Sequence, residues 1–270
     1  MTSESKSLIE LKGGNLGIEG RQHMQLAQPE TIFACPTCKE HLLPSEAGSC
    51  LKCGTCGAFF VKETVIWNFI PKDIGISSPK WKAWEVLQKN GETSYQADPE
   101  HNLSVGERTD CQQFSAFCNY QGLVLDVGCG PQSWPAYFDS NRDAVYIGVD
   151  PLTTDEQGKY LKVKALAEYL PFYKNTFDHV LFSTSLDHFV DSVAALREAK
   201  RVCKASGEID GVVGREKSWI AKGISFSRLV PSVKETGASG RLISCQAITH
   251  FRFSQGCGNG RLNGYSNRKS

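Results

Sequence analysis

The chain has 270 residues, of which 40% are hydrophobic and 25 are glycine. That is the composition of a globular protein and excludes wholesale disorder, collagen and coiled coil. Thirty basic residues stand against 29 acidic ones, a net charge of +1, so no global field recruits nucleic acid or an anionic membrane. No apolar run approaches the roughly 18–20 residues of a membrane span. The N-terminal stretch lacks the apolar core of a signal peptide, and a cytoplasmic location is expected.

Residues 1–30 are polar, with Gly13-Gly14 and no sustained periodicity, and read as a flexible tail. Residues 31–72 carry a cysteine cluster and close on the apolar stretch Val65 to Ile70 before Pro71. Residues 73–118 read as a helical connector: Trp81, Trp84, Val86 and Leu87, then Phe114 and Phe117, have helix-like spacing. Asn90-Gly91 and Asp98-Pro99 mark a turn-rich piece between them.

From 119 to 213 the pattern alternates. Leu123–Val127, Ala144–Val149 and Asp178–Phe182 are short apolar strands. Val193–Val202 is an amphipathic helix closed by Lys204-Ala205-Ser206-Gly207, with the glycine near its C-cap, and Glu208–Val213 is a further strand. Strands alternating with helices imply βαβ units and a parallel sheet. Beyond residue 213 the character changes. Ten of the 30 basic residues and two of the 29 acidic ones fall there, a local balance of +8 that leaves −7 for the rest. In this stretch Gly240–Ser244 and Ala247–Phe253 are strand-like, and 256–270 has the composition of a flexible tail. Residues 214–270 are therefore an uncertain C-terminal part, incomplete or disordered, and the abrupt shift also fits a frame-shifted terminus.

Cys35-Pro36-Thr37-Cys38 and Cys53-Gly54-Thr55-Cys56 are two Cys-x-x-Cys knuckles separated by fourteen residues. The four thiolates of Cys35, Cys38, Cys53 and Cys56 can surround one Zn²⁺ tetrahedrally, a closed and therefore structural shell. Cys50 leaves an ambiguity, since Cys50-x-x-Cys53 has the same spacing. A unit of about forty residues builds little core, so metal would supply most of its folding free energy. With Phe59-Phe60-Val61 and Ile66 to Pro71, the segment resembles the small Trm112-like zinc ribbon that precedes or accompanies some methyltransferases.

Leu123-Val124-Leu125-Asp126-Val127-Gly128-Cys129-Gly130 sets an acid at a strand end, two residues before the first glycine. Asp150 ends the next strand, where a carboxylate can accept hydrogen bonds from ribose hydroxyls. Two ligands share this geometry. A pyrophosphate site wants a third glycine, where Ser133 stands, and has no use for Asp126. A carboxylate before the loop suits a ligand with a cationic end, such as S-adenosylmethionine.

The region resembles the class I S-adenosylmethionine-dependent methyltransferases of the type 11-like branch, over residues 119–213. The likeness rests on five motifs in order. They are Val124 to Gly130, Tyr146 to Asp150, Ala167 to Phe172 followed by Phe177-Asp178, Ser183 to His188, and the helix Ala195 to Ala199. The resemblance implies an α/β fold, a Rossmann-like methyltransferase sheet preceded by a small zinc ribbon. It implies that Gly128 and Gly130 line the methionine part of the cofactor beside Asp126, that Asp150 holds the ribose, and that Ala167 and Glu168 lie along the adenine. Ser183 and Thr184 would face the transferred methyl. The family's third glycine is replaced by Gln132, and the acid that meets the adenine amino group by Ala165.

The implied reaction is direct displacement of a methyl group, with His188 as the base if the acceptor must lose a proton. No Asn/Asp-Pro-Pro-Tyr run and no Pro-Cys pair follows Phe182, which argues against amino-group and cytosine methylation. The acceptor is a small molecule, lipid, glycan or RNA. The competing class is a non-catalytic interaction module built on a zinc ribbon and a cofactor-binding shell.

Overall fold

The computed structural model describes residues 9–10, 25–26, 28–46, 48–72, 79–97, 114, 118, 120–131, 135, 143–153, 160–214, 240–245 and 248–254. Gln132, Ser133, Phe117, the Asp98-Pro99 turn and the 256–270 tail lie outside them, as does most of 1–30. No helix among the described residues is long and apolar enough to cross a membrane.

Thirteen strands and two α-helices are described, together with 3₁₀ turns. Strands β1 (Ile9–Glu10) and β2 (Gln25–Leu26) form a small antiparallel pair of their own. The cysteine-bearing segment supplies β3 (Leu42–Pro44), β4 (Cys50–Cys53), β5 (Phe59–Glu63) and β6 (Ile66–Asn68). Helix α1 (Pro79–Ala97) follows. Then come β7 (Gly122–Val127), β8 (Ala144–Val149), β9 (Leu161–Lys164), β10 (Phe177–Ser183), helix α2 (Ser192–Val202), β11 (Cys203–Gly214), β12 (Gly240–Cys245) and β13 (Ile248–Ser254).

Eleven strands form one sheet, ordered β12-β13-β11-β10-β7-β8-β9-β6-β5-β4-β3. Its centre, β11-β10-β7-β8-β9, is parallel. Chain order runs outward from β7 through β8 to β9, then reverses to β10 and β11. The crevice at the carboxyl ends of β7 and β10 is therefore the switch point where open α/β sheets bind ligands. On β7 the period-two alternation splits the core between faces. Leu123, Leu125 and Val127 join the larger cluster, while Val124 joins Phe114, Tyr120, Tyr146 and Leu181 on the other.

The cysteine-bearing segment is not set apart from this sheet. Trp67 and Asn68 of β6 pair in parallel register with Val163 and Lys164 of β9. The Phe69 N–H donates to the Lys164 carbonyl at 2.7 Å, and the Ala34 N–H to the Pro171 carbonyl at 3.0 Å. Phe33, Phe60, Trp67 and Phe69 share one continuous core with Val163, Phe172 and Phe177. Ring centroids of Phe33 and Phe69 lie 4.8 Å apart, and those of Phe172 and Phe177 4.9 Å. Two ion pairs bind the rim: Lys164 to Glu63 at 2.8 Å and Lys39 to Glu198 at 2.6 Å. Glu198 also accepts from Arg201 Nε at 2.8 Å and from the Leu170 N–H at 3.0 Å. Arg201 in turn donates to the Phe172 and Leu170 carbonyls.

Three local expectations change. Helix α1 runs through Asn90-Gly91 without a turn; one interior glycine costs about 1 kcal/mol, which the remaining good helix formers offset. Helix α2 stops at Val202, and Cys203 is already extended. Gly207 therefore lies inside β11 and not at the C-cap. A Cβ there would stand 2.7 Å from the Asp178 carbonyl oxygen, so close strand approach explains the glycine. The helix start follows the local rule, with Asp191 accepting from the Val193 and Ala194 N–H groups. Finally, β12 and β13 complete the sheet edge, β13 running antiparallel to β11 from Glu208↔Ser254 to Gly214↔Ile248. They are the strand pair that the sequence pattern alone left unplaced.

Glu198 is largely buried, its side chain 12% exposed, yet Arg201 and Lys39 outweigh that burial and hold its carboxyl below the usual 4.5. A depressed pKa contributes stability that is complete above the ordinary value and fades as acid protonates the group. Glu198→Gln is expected to lower the unfolding free energy near neutral pH by about 3 kcal/mol. The gap to wild type in urea denaturation should narrow below pH 4.5.

Candidate functional site

Asp126, the penultimate residue of β7, is fully buried. After it the chain turns sharply, with Gly128 at φ +82° and Gly130 at φ +70°, conformations that glycine adopts without penalty. The Gly128 and Cys129 N–H groups both donate to the Val149 carbonyl, at 2.7 and 3.2 Å. A Cβ on Gly128 would stand 2.4 Å from Cβ of Ser185. Ser185 holds that approach by donating its hydroxyl to the Val127 carbonyl at 2.6 Å.

Asp150 closes the turn from the neighbouring strand. Its Oδ2 accepts from the Gly130 N–H at 3.0 Å and its Oδ1 from the Leu152 N–H at 2.7 Å. Burial raises its pKa above the usual 3.8; the two N–H donors, Lys162 and His188 act in the opposite direction. Asp126 and Asp150 lie on neighbouring strands around the same loop. After burial, the charges of Asp150 and Asp126 are the largest influences pushing the Cys129 thiol well above 9.0. Gly148, in register with Asp126, makes room for this arrangement. A Cβ there would be 2.6 Å from Cys129 Sγ and 2.8 Å from the Tyr160 ring.

Lys162 was not among the residues the sequence singled out. Buried on β9, it donates to the Pro131 carbonyl at 2.9 Å and tethers the end of the glycine loop. Its signal in sequence is faint: a single lysine in Leu161-Lys162-Val163-Lys164, a strand too short to show periodicity. Around the loop, two carboxylates meet one buried ammonium. This balance favours a ligand with a positive end over a phosphate.

The other predicted residues sit at the same sheet edge in different states. Ser183 ends β10 and is half-buried; Thr184 follows at φ +58°, strained for a β-branched residue. His188 closes the Leu186–His188 turn, is exposed, and favours the charged form of Asp150. Its backbone carbonyl accepts from Trp84 Nε1 at 3.0 Å, which docks α1 beside this loop. Ala165 and Ala167 are buried packing residues after β9. Glu168 accepts from the Asp191 N–H at 2.9 Å. Burial nevertheless raises its pKa above 4.5. That carboxylate thus has a structural partner at the start of α2.

At the opposite end of the sheet the sulfur atoms of Cys35, Cys38, Cys53 and Cys56 lie within 4.8 Å of one another. Cys35 Sγ is 3.6 Å from Cys56 Sγ, and Cys38 Sγ is 3.3 Å from Cys53 Sγ. Tetrahedral Zn–S bonds of about 2.3 Å place sulfurs about 3.8 Å apart, so the set could hold one metal ion. Burial pushes the Cys35 thiol up to about 12. At Cys53 burial is outweighed by the Cys56 N–H and other donors, and its thiol falls to about 7. Four sulfurs this close cannot all ionise unless a cation stands among them. Cys50 is outside the group and turns toward Ser49 Oγ at 3.8 Å, which removes the spacing ambiguity.

Residues 125–209 match the Methyltransf_11 family, a methyltransferase domain. An uncharacterized protein of Methanocaldococcus jannaschii is 35% identical over 105 residues, covering 38% of this chain and 45% of that one. An uncharacterized methyltransferase of Schizosaccharomyces pombe is 36% identical over 107 residues, covering 32% and 37%. The chain thus spans less than half the length of these curated relatives. Among solved structures, a complex of the Haloferax volcanii Trm112 methyltransferase activator with a proposed methyltransferase matches at TM-score 0.47 and 14% identity. It covers 63% of this chain and 99% of that one. A SAM-dependent methyltransferase from Aquifex aeolicus matches at TM-score 0.43 and 16% identity, covering 60% and 97%. The matched segment contains Asp126, the glycine turn, Asp150, Lys162 and Ser185.

Gly128→Ala combines a left-handed backbone with the clash against Ser185. It is expected to destabilise the protein by about 1–3 kcal/mol, read as a lower urea midpoint.

Proposed function

We propose that this protein is an S-adenosylmethionine-dependent methyltransferase that acts by direct displacement on a small molecule, lipid, glycan or RNA acceptor. The observation that carries the reading is the glycine turn held between the buried Asp126 and the half-buried Asp150, with the buried ammonium of Lys162 beside them. The residues fit the group: the charge around the glycine turn suits a cationic ligand, and Gly128 and Gly130 carry no side chain to keep a ligand from the backbone. When bound, S-adenosylmethionine supplies an activated methyl group.

The chain's own residues do the rest. Asp150 is fixed by two N–H donors, and its carboxylate retains lone pairs that can accept from ribose hydroxyls. Asp126 contributes negative charge from a site with no exposure, where a low dielectric strengthens its pull. Ser183 and Thr184 line the acceptor side at the end of β10. His188 is exposed there and takes the acceptor proton when there is one to lose. Alignment of the reactants supplies most of the rate.

Calorimetry with S-adenosylmethionine and S-adenosylhomocysteine tests this. Micromolar binding is expected, at least tenfold weaker in Asp150→Ala, or about 1.4 kcal/mol. Folded, metal-loaded protein that binds neither compound would overturn the reading in favour of a non-catalytic interaction module.

We also propose that Cys35, Cys38, Cys53 and Cys56 bind one structural Zn²⁺. Cys38→Ser should reduce the zinc retained after gel filtration from one equivalent to a trace and lower the melting temperature. A full equivalent in the variant would refute the assignment.

A further inference from the structure

A second cluster of side chains able to hold a metal lies on β10 and β11, away from the glycine turn. His179 on β10 faces Glu208 on β11 in direct register, and Asp210 lies two residues further along the same strand. Their donor atoms all fall within 4.8 Å of one another. His179 Nδ1 is 3.6 Å from Asp210 Oδ2 and 3.8 Å from Glu208 Oε2. Both separations are too long for hydrogen bonds, and this buried nitrogen has no hydrogen-bond partner among the described residues. His179 is 9% exposed and Asp210 0%. An imidazole nitrogen nine-tenths buried is thus aimed between two carboxylates without bonding to either.

We propose that His179, Glu208 and Asp210 form a second metal site, for a first-row divalent cation such as Mn²⁺, Fe²⁺, Co²⁺ or Zn²⁺. Ligands at about 2.1 Å in a tetrahedral arrangement stand about 3.4 Å apart, so the two His179 separations of 3.6 and 3.8 Å need to contract by only a few tenths of an ångström, while the two carboxylates stand within 4.8 Å of each other. One imidazole and two carboxylates suit these ions, whereas an all-oxygen shell would suit Mg²⁺ or Ca²⁺. The Glu208 side chain is 30% exposed, which provides an entry path and room for a water ligand. The Tyr120 ring meets the imidazole edge-on at 5.6 Å and limits its rotation. The field at the start of β11 is negative: after burial, Asp178, Asp210 and Glu208 push the nearby Cys203 thiol up to about 12. Lys204 is committed to Asp178, at 2.9 Å from both of its oxygens. Bound there, the cation would pin β10 to β11 next to the switch strand β7.

The full chain, with zinc on its four cysteines, is titrated with Co²⁺ in chelator-free buffer. The readouts are visible absorption and metal analysis after gel filtration. One additional Co²⁺ per chain is expected, with d–d bands of its own and no thiolate-to-cobalt charge-transfer band. His179→Gln and Glu208→Gln should keep their zinc and bind this Co²⁺ at least tenfold more weakly. Pulsed EPR of Mn²⁺-loaded wild-type protein, which needs no variant, should show nitrogen coupling from a histidine ligand. The proposal is overturned if wild-type protein takes up no extra ion, if the variants bind it equally well, or if no nitrogen coupling appears. The cluster would then be an internal network of charged side chains without a metal.

Discussion

The parallel pairing of β6 with β9 is the contact on which the architecture turns. A parallel strand at a sheet edge exposes a row of backbone donors and acceptors, and β9 would be such an edge. The cysteine-bearing segment needs a neighbour equally, because forty residues bury too little apolar surface to stand alone. Each solves the other's problem. Trp67 and Asn68 satisfy the backbone of Val163 and Lys164, and a single aromatic core crosses the seam. The ion pairs at the rim are secondary, since partly exposed pairs contribute little by themselves. The stronger case is Glu198, which is nearly buried and gathers Lys39, Arg201 and the Leu170 N–H around one carboxylate.

This seam also sets the floor of the site. Strand β9 carries Lys162 and leads directly to Ala165, Ala167 and Glu168. The first knuckle sits one residue beyond Ala34, whose N–H holds Pro171. The four-cysteine end and the glycine-turn end are therefore parts of one hydrogen-bonded sheet and not two modules on a tether. The segment from 165 to 172 is braced from both sides, by the knuckle and by Arg201 of α2.

At the site itself one carboxylate fixes the glycine turn: Asp150 accepts from the Gly130 and Leu152 N–H groups, which orient it. A carboxylate so placed is costly to bury, and the structure offsets that cost with N–H donors and the Lys162 ammonium. Glu168 contrasts with it: its carboxylate accepts from the Asp191 N–H at the start of α2 and not from the glycine loop.

Local rules in the sequence determined much of this protein. The two knuckles, the strands around Asp126 and Asp150, the Asp191-capped helix and the glycine turn all arise from residues close together in the chain. Short spacing, period-two alternation and caps are local constraints, and they are legible one segment at a time. Where local signals conflicted, the reading failed: Asn90-Gly91 resembles a turn but lies within α1, and Gly207 resembles a helix cap but serves a close strand contact. Only the tertiary structure decided that β6 joins β9, that Lys162 tethers the glycine loop, and that His179 meets Glu208 and Asp210. These pairings join residues thirty to a hundred positions apart. What selects them is shared burial, an edge that must be covered and charges that must be offset, and none of these is encoded in any short stretch of sequence.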